Sequence, residues 1–167
     1  MQSILIDKST NLVPTNIVSN DLVSIILPTL NRFNGFKNVV NQILSKTYRN
    51  IELVIIDDGS ELDVLKEKEN FIHRKNDNRI KFFKNEVNKK LPYSINRGIQ
   101  NSSGNFITWI SDDNDYFDIF IETLVCKDSD FTYSDFELYF EDLNRTKIIK
   151  KNFADLNNLI SNYRGLA

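Results

Sequence analysis

Histidine and cysteine are almost absent from this chain: His73 and Cys126 stand alone among 167 residues. A single cysteine excludes an internal disulfide and a cysteine zinc cluster. A single histidine excludes His-based metal triads and Ser-His-Asp catalysis. Excess charge of one sign is lacking too. With 21 Lys+Arg against 23 Asp+Glu the formal net charge is −2 and the pI is near 5.5, so the basic field of a dedicated nucleic-acid binder is missing. No apolar run, Val23–Leu27 included, approaches the roughly 18 residues that a membrane span needs. The opening Met1-Gln2-Ser3-Ile4 lacks the basic-then-apolar layout of a signal peptide, so a cytoplasmic protein is expected. Neither the glycine-rich dinucleotide fingerprint nor a P-loop occurs anywhere. The chemistry left to this chain runs on carboxylates, amides, hydroxyls and lysines.

What is present is an ordinary globular composition, 41% hydrophobic and 26% charged, at a length that suits one domain with a small appendage. Residues 1–20 are polar and aperiodic and read as an N-terminal extension. Val23–Leu27, a β-branched run ended by Pro28, predicts a buried parallel strand, and Ile51–Ile56 a second. Between them Phe36, Val39, Val40, Ile43 and Leu44 lie on one helix face. A charged helix through about Arg74 follows, with Leu62, Leu65 and Phe71 expected inward and His73 exposed at its end. Arg79–Phe83 predicts a third strand, Leu91–Ser102 a helix packed through Ile95 and Ile99, and Asn105–Ile110 a fourth strand. Phe117–Val125 should be helical and Asp130–Ser134 a fifth strand. Phe136–Phe140 and Thr146–Phe153 suit a hairpin, and Asn152–Tyr163 a short amphipathic helix. This alternation predicts an α/β fold with a mostly parallel sheet flanked by helices.

Three polar clusters each follow a predicted buried strand: Pro28–Arg32, Asp57–Ser60 and Ser111–Asp115. Alone, the second and third would each suit a capping turn and the first a plain loop after a strand. Together they lie where open α/β sheets bind ligands, outside the carboxyl ends of the strands. Aspartates brought so close repel unless a cation or hydrogen bonds compensate. A hard divalent ion bridging to a phosphate suits such an all-oxygen site.

These residues carry a resemblance. Val23-Ser24-Ile25-Ile26-Leu27-Pro28-Thr29-Leu30-Asn31-Arg32 and Glu52-Leu53-Val54-Ile55-Ile56-Asp57-Asp58-Gly59-Ser60 open the series. Asn96-Arg97-Gly98-Ile99, Gly104-Asn105-Phe106-Ile107 and Ser111-Asp112-Asp113-Asn114 continue it. In order and spacing the set resembles the nucleotide-sugar-binding half of a family 2 glycosyltransferase of the GT-A fold, a Rossmann-like sheet. Ser111 stands where that family often has Asp, and Leu30 where an aromatic often stacks on the base.

The resemblance implies a sugar transfer from a nucleotide-diphosphate sugar, UDP-sugar favoured, to a glycan, lipid or protein acceptor, with inversion. It implies that Pro28, Thr29, Leu30 and Asn31 line the base and ribose pocket and that Asp58 accepts a hydrogen bond from the base. Asp112 would touch the ribose or support the metal, Lys90 would contact the donor, and Asn96 would cap or brace its helix. Asp113 would ligate Mn2+ or Mg2+ on the diphosphate. The implied domains are 1–20, an extension; 21–135, the nucleotide-sugar-binding domain; and 136–167, a partial C-terminal segment. The acceptor half is expected to be shortened, as in a truncated transferase. No carboxylate among Asp128, Asp130, Asp135, Glu137, Glu141, Asp142 and Asp155 sits in a motif that marks it as the general base. A nucleotide-sugar-binding module without transferase activity is therefore the alternative. An uncovered sheet edge would also make pairing with a second copy available. A phosphoacceptor receiver domain would require an acidic pair after the first strand, where Pro28-Thr29-Leu30-Asn31 stands.

Overall fold

A computed structural model of the chain describes residues 20–125, 132, 134 and 136–150. Most of the expected extension, most of the strand expected at Asp130–Ser134, the helix expected at Asn152–Tyr163, and Cys126 lie outside the described residues. The chain divides into two units, Met1–Cys126 and Lys127–Ala167, each described by itself.

The first unit runs β1 (Val23–Thr29), α1 (Phe33–Ser45), β2 (Ile51–Asp57), α2 (Leu62–Lys75), β3 (Ile80–Lys84), α3 (Leu91–Gln100), β4 (Phe106–Trp109) and α4 (Phe120–Val125). The four strands form one parallel sheet in the order β3-β2-β1-β4. β2 is buried along its whole length and β1 along nearly all of it, as continuous apolar runs require when helices cover both faces. Ile25, Leu27, Leu53 and Ile55 meet Phe36, Val39, Val40 and Ile43 of α1, and Phe71 of α2 adds edge-on ring contacts to Phe33 and Phe36.

β1 extends two residues beyond the expected end and takes in Pro28. The Ile26 carbonyl faces β4, accepting from Ile110 N at 2.9 Å, so Pro28 faces the same side. The β1–β4 register ends at Ile26↔Trp109, and the missing proline N–H therefore interrupts no ladder. This is also where the strand order reverses direction, the crevice that such sheets offer to ligands.

Two helix faces differ from expectation. Leu62 is 64% exposed at the start of α2, and Lys68 is fully buried in its middle. On α3, Ile99 is exposed and the packed residues are Ser94 and Gly98. A Cβ at Gly98 would lie 2.4 Å from Ile26 Cγ2, so the helix approaches β1 closely at this glycine, while Ile95 is half-buried. Asn96 is exposed in the interior of α3, away from either cap. Helix α4 begins at Phe120, later than predicted, and the segment just after α1 anchors the loop before it. Lys46 Nζ donates to the Tyr116 carbonyl and to Asp118 Oδ1 (3.1 Å), and Thr47 Oγ1 to the Asp118 carbonyl (3.2 Å).

In the second unit β5 (Phe136–Phe140) and β6 (Arg145–Ile149) form an antiparallel hairpin in the register Phe136↔Ile149. A 3-10 turn at Glu141–Leu143 and Asn144, at φ 44°, connect them. Asn-type residues tolerate that left-handed geometry, which stands in for an Asn-Gly turn. Among the described residues no helix is long and apolar enough to cross a membrane.

Candidate functional site

All three acidic or polar clusters emerge at the carboxyl edge of the sheet, and side chains stitch them together. After β1, Asn31 takes a left-handed conformation (φ 53°), which asparagine adopts more readily than most residues. Its N–H donates to Ser60 Oγ at 2.9 Å, and its Oδ1 accepts from Glu61 N at 2.8 Å. The first loop is thereby tied to the second. Leu30 and Pro28 are half-buried beside it.

At the end of β2, Asp57 and Asp58 have separate tasks. Asp57 caps the turn, its Oδ1 accepting from Ser60 N (2.8 Å) and its Oδ2 from Ser60 Oγ (2.7 Å). Asp58 is buried, its N–H donates to the Thr29 carbonyl at 2.9 Å, and its Oδ1 accepts from Asn85 Nδ2 (2.7 Å) and Lys89 N (2.9 Å). Arg97 of α3 donates in turn to Asn85 Oδ1 and to the Lys84 carbonyl. Between the aspartates and Ser60, Gly59 sits at φ 84°, and a Cβ there would lie 2.5 Å from the Val87 carbonyl carbon. The close contact of the 85–90 loop therefore requires glycine. Lys90 follows Lys89 on that loop and is exposed, at φ 73° ahead of the Pro92-containing first turn of α3.

After β4, Asp112 is buried and Asp113 exposed. Asp112 Oδ2 accepts from Thr29 Oγ1 at 2.7 Å, a direct link across the switch point. Asp113 Oδ1 accepts from Ser111 Oγ, and its Oδ2 from Arg32 Nη1 at 2.8 Å. The same guanidinium nitrogen lies 3.5 Å from Asp112 Oδ1. The Ser111 hydroxyl and the Arg32 guanidinium hold the Asp113 carboxyl below its ordinary range, so it is ionised at neutral pH. The Arg32 guanidinium is correspondingly raised by Asp113 and Asp112. Helix α1 backs this loop: Tyr116 N donates to Gln42 Oε1 (3.0 Å), and Gln42 Nε2 to Asp115 Oδ1 (2.6 Å). A Cβ on Gly35 would lie 2.2 Å from the Asp112 carbonyl oxygen, so α1 can seat the loop only because that position is glycine.

The structure thus brings Thr29, Asn31, Asp58, Asp112 and Asp113 into one bonded assembly. Thr29 turns inward to Asp112, so what it offers the crevice is backbone. Lys90 enters only through the loop that holds Asp58. Sequence reasoning missed Arg32, Lys68, Asn85 and Gly35. Clustered aspartates need a cation or hydrogen bonds to compensate them, and Arg32, at the end of the first cluster, was the available signal for such a partner. Among the described residues no group of three or more His, Cys, Asp and Glu could hold a metal by itself. An exposed Asp113 beside Asp112 fits an ion whose remaining oxygens come from a bound phosphate and water.

Residues 24–159 match the family model described as glycosyl transferase family 2. The chain is 33% identical over 144 residues to an uncharacterized glycosyltransferase of Rickettsia conorii, covering 82% of this chain and 23% of that one. It is 31% identical over 106 residues to the GalNAc(5)-diNAcBac-PP-undecaprenol beta-1,3-glucosyltransferase of Campylobacter jejuni, covering 63% of this chain and 34% of the other. Among solved structures, the mannosyltransferase PcManGT of Pyrobaculum calidifontis, in complex with GDP-Man and Mn2+, superposes with a TM-score of 0.62 at 14% identity. It covers 66% of this chain and 33% of that one, a likeness of fold. The chain spans between 23% and 34% of the length of these relatives.

Proposed function

We infer, because this chain belongs to glycosyl transferase family 2, that the crevice between β1 and β4 binds a nucleotide-diphosphate sugar and serves transfer of its sugar to an acceptor hydroxyl. The observation that carries this reading is the joining of the three strand-end loops across the switch point, with Thr29 Oγ1 2.7 Å from Asp112 Oδ2.

Residues 21–135 form the donor domain in this reading. Pro28, Leu30, Asn31 and the Thr29 backbone flank the base and ribose. Asp58, buried and held by Asn85 and the Lys89 N–H, accepts from the base. A uracil imide N–H suits such an acceptor, which favours UDP. Guanine also presents an N–H edge, and GDP is the comparison the test includes. Asp112 faces the ribose or supports the metal, and Lys90 reaches the diphosphate. Asp113 would hold Mn2+ or Mg2+ together with diphosphate oxygens, and Arg32 would be released toward the phosphates. When bound, the ion supplies Lewis-acid stabilisation of the departing nucleoside diphosphate. Inversion at the sugar further requires a carboxylate that takes the acceptor's proton; no described residue is assigned to it. The acceptor is a glycan, lipid or protein hydroxyl.

Calorimetric titration of UDP and GDP, with and without Mn2+, tests the reading. UDP should bind the wild type more tightly with Mn2+ than without, and Asp113→Ala should lose at least about tenfold of that enhancement. Absence of metal-enhanced nucleotide binding overturns it.

A further inference from the structure

Lys68 lies in the middle of α2, fully buried, its Nζ 2.8 Å from the equally buried Asp57 Oδ2 and 5.4 Å from the centroid of the Phe36 ring. An ammonium has three N–H donors and accepts nothing. Each donor is used: Asp57 Oδ2 at 2.8 Å, Thr29 Oγ1 at 3.0 Å and Ser60 Oγ at 3.0 Å. The acceptors of Lys68 are thus the last residue of β1, the last residue of β2 and Ser60 of the loop that follows β2.

We propose that Lys68 is a positioning residue of the donor site, one that fixes the hydroxyl protons of Thr29 and Ser60 and through Thr29 aims the Asp112 carboxylate. This rests on the donor-site reading above. Because Thr29 Oγ1 accepts from Lys68, its single proton is committed to Asp112 Oδ2, 2.7 Å away. Ser60 Oγ likewise accepts from Lys68 and from Asn31 N, and its proton goes to Asp57 Oδ2 at 2.7 Å. One ammonium thus orders the ends of β1, β2 and β4 while never touching the crevice. Its buried charge also lies against the buried Asp57 carboxylate and one hydroxyl away from that of Asp112.

The test measures UDP affinity in saturating Mn2+ by calorimetry, on variants shown to be folded by circular dichroism. Lys68→Met and Thr29→Val should each weaken binding by about tenfold, and the double variant should be no weaker than the worse single. Thr29→Ser, which keeps the hydroxyl, should stay within about threefold of wild type. A lysine that serves stability alone would leave the affinity of the folded fraction unchanged, or give losses that add with those of Thr29→Val. Should Lys68→Met fail to fold, Lys68→Met/Asp57→Asn removes both buried charges together, a change that cores tolerate. It should show the same loss. Affinity within about twofold of wild type in the folded Lys68 variant overturns the role of Lys68. Wild-type protein that binds no UDP with Mn2+ overturns the donor-site reading and this proposal with it.

Discussion

Asp112 and Gly35 illustrate how a single atom governs the site. The Asp112 carbonyl oxygen lies where a Gly35 side chain would begin, 2.2 Å from the ideal Cβ. Backbone on one side and helix on the other leave no route for relief, so Gly35→Ala should displace the acidic loop. We expect a loss of Mn2+–UDP affinity of about tenfold or more and a melting temperature several degrees lower, measured by calorimetry and thermal unfolding. Asn85 acts at a distance of one bond. Asn85→Ala removes the 2.7 Å donor to Asp58 and leaves Arg97 without that side-chain acceptor. Nucleotide affinity should fall by about 3- to 30-fold while the enhancement by Mn2+ is retained, because Asp113 is untouched. Asp113→Ala should show the reverse pattern. The two variants together separate base recognition from metal recognition.

Among the elements, β4 is short and depends on fastening at both ends. At its start, Glu52 of β2 accepts from Ser24 Oγ (2.6 Å), Ser103 Oγ (2.7 Å) and Lys81 Nζ (2.6 Å), while Gly104 N donates to Ser24 Oγ (2.8 Å). Burial pushes the Glu52 carboxyl up, but the Lys81 ammonium, the Ser24 hydroxyl and the Ser103 N–H and hydroxyl outweigh it and hold it at about 2, from an ordinary 4.5. A folded-state value below the unfolded one means stability that is complete above pH 4.5 and is lost as the pH falls toward 2. Glu52→Gln should cost about 1–3 kcal/mol at pH 7 and flatten the acid limb of stability between those values, read from urea unfolding against pH. Elements with one dominant burial pattern were legible in the sequence. β1 and β2 are continuous apolar runs, and α1 presents Phe36, Val39, Val40 and Ile43 as its spacing predicts. Helices α2 and α3 differ from expectation at Leu62 and Ile99 because polar or small residues take inward positions beside or instead of apolar ones. Periodicity of apolar residues carries no record of Lys68, Ser94 or Gly98 facing inward.

At the scale of the molecule, the parallel order β3-β2-β1-β4 collects residues far apart in sequence at one edge. The positions of Asp58, Asp112 and Asp113 were legible because each follows a strand whose hydrophobicity marks its end. Their wiring was not. The partners Arg32, Asn85 and Lys68 are ordinary polar residues whose role exists only once the sheet order is set. In this reading the segments 29–32, 58–60 and 111–115 form one metal-assisted site for a nucleoside diphosphate. Paramagnetic broadening of amide resonances tests it most directly, with Mn2+ added in substoichiometric amount to the protein and UDP. The claim predicts that broadening centres on residues 111–115, extends to 29–32 and 58–60, and largely disappears in Asp113→Ala. Broadening centred elsewhere, or unchanged by Asp113→Ala, would contradict it.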